Sequence, residues 1–423
     1  MSSESSPGSG TGRGTARPPL AALVERHLPA VRALRRDVHA HPELSRAEHR
    51  TTDAVARLLE GAGLAVRRLP GTGLVADVLP GPGAADDRVV ALRGDCDALP
   101  LRETTGLPHA STVDGVAHAC GHDVHTAVLA GCGLVLADVA RAGALRHTVR
   151  LVLQPAEEVM PGGALDVVGA GVVDDVSAIY GLHCDPSLDV GTVGLKAGPI
   201  TSASDHVTVR LFGPGGHTSR PHLAGDLVFA LGQVVTQLPA VLARRVDPRA
   251  GVNLTWGSVH AGGAPNAVPS EGLAAGTLRC METEAWQHAG ELVEDVVADL
   301  VRPYAVRAEV TLVRGVPPVD NDVRATAALE QAARAELGDD AVLPTRQSLG
   351  GEDFAWYLHH VPGAMVRLGT RTPGGPTYDL HRGDYAPDED CLGPGVLVMA
   401  ATACSERALL GDVTTTMAQR SSN

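Results

Sequence analysis

Apolar residues recur every three to four positions over Leu20–His39 and Ala47–Glu60, the spacing of one helical face, so two helices are expected to open the fold. Short apolar runs follow at Arg88–Leu92, Val149–Leu153 and Val176–Leu182, each leading through a turn into a helical stretch such as Val124–Ala140. Strands that are apolar on both faces and alternate with helices predict an α/β fold around a mostly parallel sheet flanked by helices. Near residue 194 the pattern changes. Val207, Val209 and Leu211 alternate with His206, Thr208 and Arg210, as in a strand with one wet face. Leu227, Leu231, Val234, Val235 and Leu238 then mark an amphipathic helix. Strand patterns at Val252–Val259 and Gly272–Cys280 follow, then a helix through Trp286, Val293, Val296, Val297 and Leu300, and a strand through Ala308, Val310 and Leu312. The order β-α-β-β-α-β predicts a ferredoxin-like α+β unit over 194–311. It interrupts a larger α/β domain made of 19–193 and 312–412. From Asn321 to about Gly411 the chain reads as helix-rich, and 1–18 and 413–423 read as tails.

Composition narrows the function. The 423 residues carry a formal net charge of −14, and a single lysine, Lys196, lies in no Gly-rich phosphate loop. An acidic chain with only 3% aromatic residues offers neither a phosphate-binding surface nor a base-stacking platform, so no nucleic-acid partner is expected. No apolar run approaches the ~18–20 residues of a membrane span, so no membrane partner is expected either. Seven scattered cysteines without a CxxC pair, and an N-terminus without an apolar leader, point to a reducing, cytoplasmic setting.

The reactive residue types gather in short segments. Arg93-Gly94-Asp95-Cys96-Asp97 closes an apolar strand, and its alternate carboxylates share a face at the carboxyl edge of the sheet, where α/β active sites sit. His118-Ala119-Cys120-Gly121-His122-Asp123-Val124-His125 leads into a helix, and a thiolate and an imidazole two apart can converge on a borderline-soft ion such as zinc. Gln154-Pro155-Ala156-Glu157-Glu158 follows a second strand; its adjacent carboxylates point different ways, so one can hold metal while the other faces substrate. His183 ends a third strand, and His381 lies in the final third. A lone His or Cys is usually structural, and a Glu pair is usually a solvated surface. Three successive strand ends delivering ligand types to one edge is a coincidence that packing does not predict.

These motifs, with Arg35 to Leu44, Gly94 to Pro100, Gly181-Leu182-His183, Gly215-Gly216-His217, Pro221-His222, Asn266 to Pro269, Gly276 to Arg279, Gly351 to Phe354 and Leu380-His381, cover nearly the whole chain. In this order they resemble the di-metal aminoacylase/carboxypeptidase family. The likeness is to its amidohydrolase branch, which holds hippurate hydrolases, N-acyl-amino-acid amidohydrolases and the plant hydrolases of indole-acetyl-amino acid conjugates. The resemblance implies a di-zinc exopeptidase-like fold and two divalent ions per chain (Zn, Mn, Co or Ni) on Cys120, His122, Glu158, His183 and His381. It further implies Glu157 as general base and a homodimer formed through the inserted lid, which brings His217, Asn266 and Arg279 near a small N-acyl amino acid or dipeptide. Two ions can together activate a water and polarise an amide carbonyl. Glu157 would then take the water's proton and return it to the departing amine, with His217 donating to the oxyanion. Asp97 is placed to orient a ligand, and Arg279 with Asn266 to recognise a carboxylate. Cys96 stands where the family commonly has Met, and a packing role is favoured for it over a sixth ligand. The rivals are a serine hydrolase, disfavoured because no G-x-S-x-G elbow is present, and a catalytically silent binder of acylated amino acids, which would not need Glu157 beside a full ligand set.

Overall fold

In the computed structural model, residues 17–81 and 86–410 are described; apart from residues 17 and 18, the expected tails lie outside them. The chain opens with α1 (Leu20–Ala40), α2 (His49–Gly61), β1 (Ala65–Arg68), β2 (Leu74–Val78), β3 (Val89–Asp95), α3 (His122–Arg141), β4 (Thr148–Gln154), α4 (Ala164–Gly169), β5 (Val176–Asp189) and β6 (Val193–Leu195). After a two-residue strand, β7 (Gly198–Pro199), come β8 (Ser204–Phe212), β9 (Gly216–His217), α5 (Pro221–Ala224), α6 (Leu227–Arg245), β10 (Asn253–Ala261), β11 (Ala267–Val268), β12 (Glu271–Arg279), α7 (Thr283–Val301) and β13 (Arg307–Val316). The chain closes with β14 (Asp320–Asn321), α8 (Val323–Leu337), β15 (Val342–Pro344), α9 (Ala355–Leu358), β16 (Gly363–Arg371) and α10 (Leu392–Ala403).

Eight strands form the large sheet in the order β1-β2-β4-β3-β5-β16-β6-β15. Its middle, β4-β3-β5-β16, is parallel, and antiparallel pairs flank it. Period-two alternation explains why these strands are apolar throughout: Val90 and Leu92 of β3 enter the core beneath α1, α3, α8 and α10, whereas Val89 and Ala91 enter a second core with Phe354 and Tyr357 on the other face. Between β6 and β14, four antiparallel strands in the order β10-β12-β8-β13 carry α6 and α7 over a core of their own. This is the split β-α-β-β-α-β arrangement.

Two expectations need correction. The stretch after Asn321 is not simply helical, because β16 runs through the middle of the large sheet beside β5. A lone charge, Arg367, interrupts its apolar run and hides the strand signal. Two helices, α3 and α6, do reach the length and hydropathy of a membrane span. In α3 that character is explained by burial, since 94% of its most apolar window is covered by the fold. The exposed rest of α6 flanks a stripe through Leu227, Leu231, Val234 and Leu238 that packs on the small sheet.

The segment just before α9 is pinned to β3 by one buried side chain. Arg93 on β3 donates to Gln154 (2.8 Å), Asp95 (2.6 Å), Glu352 (3.0 Å) and Asp353 (2.8 Å) while only 1% exposed. Removing the guanidinium leaves three buried carboxylates without their counter-charge, which typically costs about 3–5 kcal/mol. Arg93→Met should therefore lower chemical stability by about that amount, and Arg93→Lys should recover only part of it because an ammonium lacks the planar fork. A denaturation midpoint unchanged in Arg93→Met would show that the pin carries no load.

Candidate metal centre

The carboxyl ends of β3 and β4 lie level with the middle of β5, which runs on to Asp189 instead of ending at His183 as the sequence suggested, so Asp95, Cys96 and Asp97, the Glu157–Glu158 pair, and His183 arrive at one level. Cys120 and His122 join them from the start of α3. Gly121 between them sits at φ 94°, and a Cβ there would lie 2.8 Å from the Cys184 sulfur, so the tight approach requires glycine. Ala156 and His381 also hold positive φ, 57° and 60°, a strained backbone that turns Glu157 and His381 toward the same space.

The ligand atoms form two triads, Cys120–His122–His183 and Cys120–Glu158–His381, within each of which the atoms lie within 4.8 Å of one another. Cys120 belongs to both. The Nδ1 of His122 lies 2.9 Å from the Asp97 carbonyl, and that of His183 lies 2.8 Å from the Cys184 carbonyl. A carbonyl can only accept, so each Nδ1 carries the proton, and in the neutral ring Nε2 turns its lone pair into the site. The Nε2 of His122 and the Oε1 of Glu158 are buried without a hydrogen-bond partner. Two preset imidazoles, a thiol and an orphaned carboxylate oxygen suit a pair of divalent cations.

The local field points the same way. Although burial opposes it, Asp95 and Cys120 draw the His122 imidazole well above its ordinary range. The close approach of Cys120 and of Glu158, whose Oε1 stands 3.4 Å from its Nε2, pulls His381 up to about 10. The space concentrates negative charge and calls for cations. His183 moves the other way, well below its usual value, through burial and the positive charge of Arg367. Burial, then the carboxylates of Glu352 and Glu158, push Glu157 well above the ordinary carboxylate range; its Oε2 stands 3.9 Å from His122 Nε2.

Asp97 stands outside both triads. Its Oδ2 accepts from the Ser45 hydroxyl (2.7 Å) and the Glu158 backbone N–H (2.9 Å), and its backbone carbonyl lies 2.9 Å from His122 Nδ1, which places it to orient the candidate ligands His122 and Glu158. Cys96 donates to the Gln154 carbonyl at 3.3 Å and joins no ligand cluster. Arg279 lines a cavity of about 410 Å³ with Cys120, Glu157, Glu158, His183 and His381, and its Nη1 donates to the Leu349 carbonyl at 2.6 Å. His217 and Asn266 are exposed and close to each other, the Thr218 N–H meeting the Asn266 carbonyl at 3.2 Å, but neither lines that cavity within one chain.

Sequence reasoning passed over several neighbours. Asp95 takes His125 Nδ1 at 2.6 Å, and His125 Nε2 accepts the Cys184 N–H at 2.9 Å, which braces the part of β5 that carries His183. Glu352 and Asp353 lie within reach of Glu157. Arg367 lines the cavity. Each is a polar residue in an otherwise apolar or Gly-rich context, the one available signal. Behind the first turn of α3, Arg35 and His39 converge on Asp123 at 2.7 and 2.8 Å, and Glu103 takes the other His39 nitrogen at 3.2 Å.

Comparison with known proteins agrees with this geometry. The profile of "Peptidase family M20/M25/M40" matches residues 91–405. A longer Rhodococcus jostii protein named for glutamate–cysteine ligase is 50% identical over 367 residues, which are 87% of this chain but 45% of that protein; the chain thus spans about half of that relative. The N-acetylcysteine deacetylase of Bacillus subtilis is 38% identical over 359 residues, 85% of this chain and 92% of the relative. The solved YXEP protein of Bacillus subtilis, described as a dinuclear metal binding peptidase, superposes with a TM-score of 0.79 at 35% identity, over 90% of this chain and 98% of that one.

Two outcomes test the site. Elemental analysis should find close to two divalent ions per chain. Cys120→Ser, which alters the one atom common to both triads, should deplete both, and full occupancy in that variant would remove the assignment. The second outcome concerns pH. Burial opposes the His39 charge, but Asp123 and Glu103 hold its imidazole up at about 9, against ~6.5 unfolded. A raised pKa stabilises the fold fully below ~6.5, and that contribution fades as pH climbs through 9. The stability gap between wild type and His39→Gln should shrink over this window; a gap that widened would reverse the sign.

Proposed function

Because the chain belongs to peptidase family M20/M25/M40 and is a hydrolase, we propose that it cleaves the amide bond of N-acyl amino acids or small peptides that keep a free carboxylate. The observation that carries this reading is the pair of triads sharing Cys120 with Glu157 beside them. When bound, two divalent ions supply Lewis acidity that polarises the scissile carbonyl and lowers the pKa of a water. Cys120, His122 and His183 would hold one ion, and Cys120, Glu158 and His381 the other.

Glu157 does the proton work. Buried beside Glu352 and Glu158, its carboxylate has a raised proton affinity, which suits a group that takes a proton from water and passes it to the departing amine near neutral pH. Arg279 supplies a planar fork for the substrate carboxylate at the cavity wall. His217 and Asn266 stand outside this cavity, which supports a homodimer in which each lid serves its neighbour's site; a monomer by light scattering would remove that part of the reading. A cytoplasmic setting is part of the same proposal, supported by the scattered spacing of the seven cysteines in the sequence. A silent binder has no use for Glu157, so the two readings part on one experiment.

Glu157→Gln keeps size and shape but cannot accept the proton, so kcat should fall by about 10²–10⁴ with metal content intact. Glu158→Gln should lose metal as well as activity. Exchanged phenotypes would exchange the two roles, and an unimpaired Glu157→Gln enzyme would end the general-base assignment.

A further inference from the structure

The metal-facing cavity contains a second guanidinium that the reading above leaves idle. Arg367 of β16 pairs in parallel register with His183 of β5. Register partners on adjacent strands send their side chains to the same face, and Arg367 accordingly lines the same cavity as His183, Glu157 and Arg279. It is 7% exposed, and although its backbone lies in the strand ladder, its guanidinium makes no hydrogen bond or ion pair with a described residue. Burial lowers its pKa; Glu352 and Asp185 favour its charge, but from beyond ion-pair distance. Glu352 is already engaged by Arg93, and Asp185 by the Ser187 hydroxyl and N–H. A buried cation without a counter-ion is strongly unfavourable, and an anion from outside is the natural remedy.

There is room for one. Ser348, Arg367 and Leu380 line both the metal-facing cavity and an adjoining groove of about 680 Å³, so Arg367 stands at the passage between them. Arg279 enters from the small sheet and Arg367 from the large one, so one ligand can meet both forks.

We propose that Arg367 binds a second anionic group of the substrate, so that the preferred substrates are N-acyl amino acids or dipeptides with two carboxylates: the α-carboxylate on Arg279 and another on Arg367. This rests on the hydrolase reading above. The second carboxylate belongs either to the amino-acid side chain or to the acyl group, and both present the same chemistry to a guanidinium.

The test compares acids with neutral isosteres on the metal-loaded full-length protein: N-acetylglutamate against N-acetylglutamine, and N-succinylalanine against N-butyrylalanine. One pair should show a preference of about tenfold or more in kcat/KM for the acid, as a charge-assisted hydrogen bond provides, and that pair identifies the side on which Arg367 acts. Arg367→Met should abolish the preference chiefly through KM, and Arg367→Lys should keep part of it. Equal losses on acid and neutral members would mean that Arg367 serves only to position His183, and absence of preference in both wild-type pairs would overturn the proposal. If no substrate is cleaved, the hydrolase reading falls, and calorimetry then decides the recognition claim alone. Glutarate should bind wild type about tenfold tighter than butyrate does and lose that advantage in Arg367→Met; equal binding refutes it. If Arg367→Met fails to fold, Arg367→Gln, which also removes the charge, takes its place throughout with the same expected outcomes.

Discussion

The buried guanidinium of Arg93 is the constraint on which the architecture turns. Burying an arginine is tolerable only when its donors are matched, and here β3, the end of β4 and the segment before α9 each contribute an acceptor. The matching fixes more than stability. Asp95 is held so that its other oxygen meets His125, which in turn receives the backbone next to His183. Gln154 is held so that the turn to Glu157 starts from a fixed point, and its side-chain amide reaches Asp353 at 2.9 and 2.8 Å. One side chain thus helps to set the ends of β3 and β4 and the middle of β5 relative to one another.

The centre itself balances opposed tendencies. Burial pushes the Cys120 thiol up, away from the thiolate a metal requires. The sulfur sits just before the N-terminus of the 20-residue helix α3, where the helix dipole favours negative charge, and His122 lowers the proton's hold further. A soft sulfur shared by both triads, with imidazole and carboxylate around it, defines a donor set of mixed hardness, able to accept several first-row divalent ions.

Much of this was legible in the sequence. Helical spacing located α1 and α2 within one or two residues of their ends, because amphipathic periodicity reports the buried face directly. Alternation located the strands of the small sheet for the same reason. β16 escaped because Arg367 breaks its apolar run, yet that residue is there for a cavity rather than for the core. The five proposed ligands and Glu157 are named by the resemblance to a known family; residue type and placement after apolar strands mark only the segments that hold most of them. Arg93, Glu352 and Asp353 were quoted within motifs but given no role, since their meaning lies in contacts between segments far apart in sequence. His217 and Asn266 illustrate the converse: a motif can be plain in the sequence while a single chain keeps it away from the cavity.

The dispersal of the ligands has a consequence for how the protein comes to be active. Cys120, Glu158, His183 and His381 derive from segments far apart in sequence, and His381 follows β16, the strand that lies beside β5 in the large sheet. Long-range closure of this kind is slow, because loop entropy is spent before the contacts that reward it form. A chain whose C-terminal part has not joined the sheet can therefore present the first triad but not the second, and a ligand that recognises the finished pair stabilises the folded sheet by mass action. Completion of the sheet and completion of the centre are thereby coupled through His381.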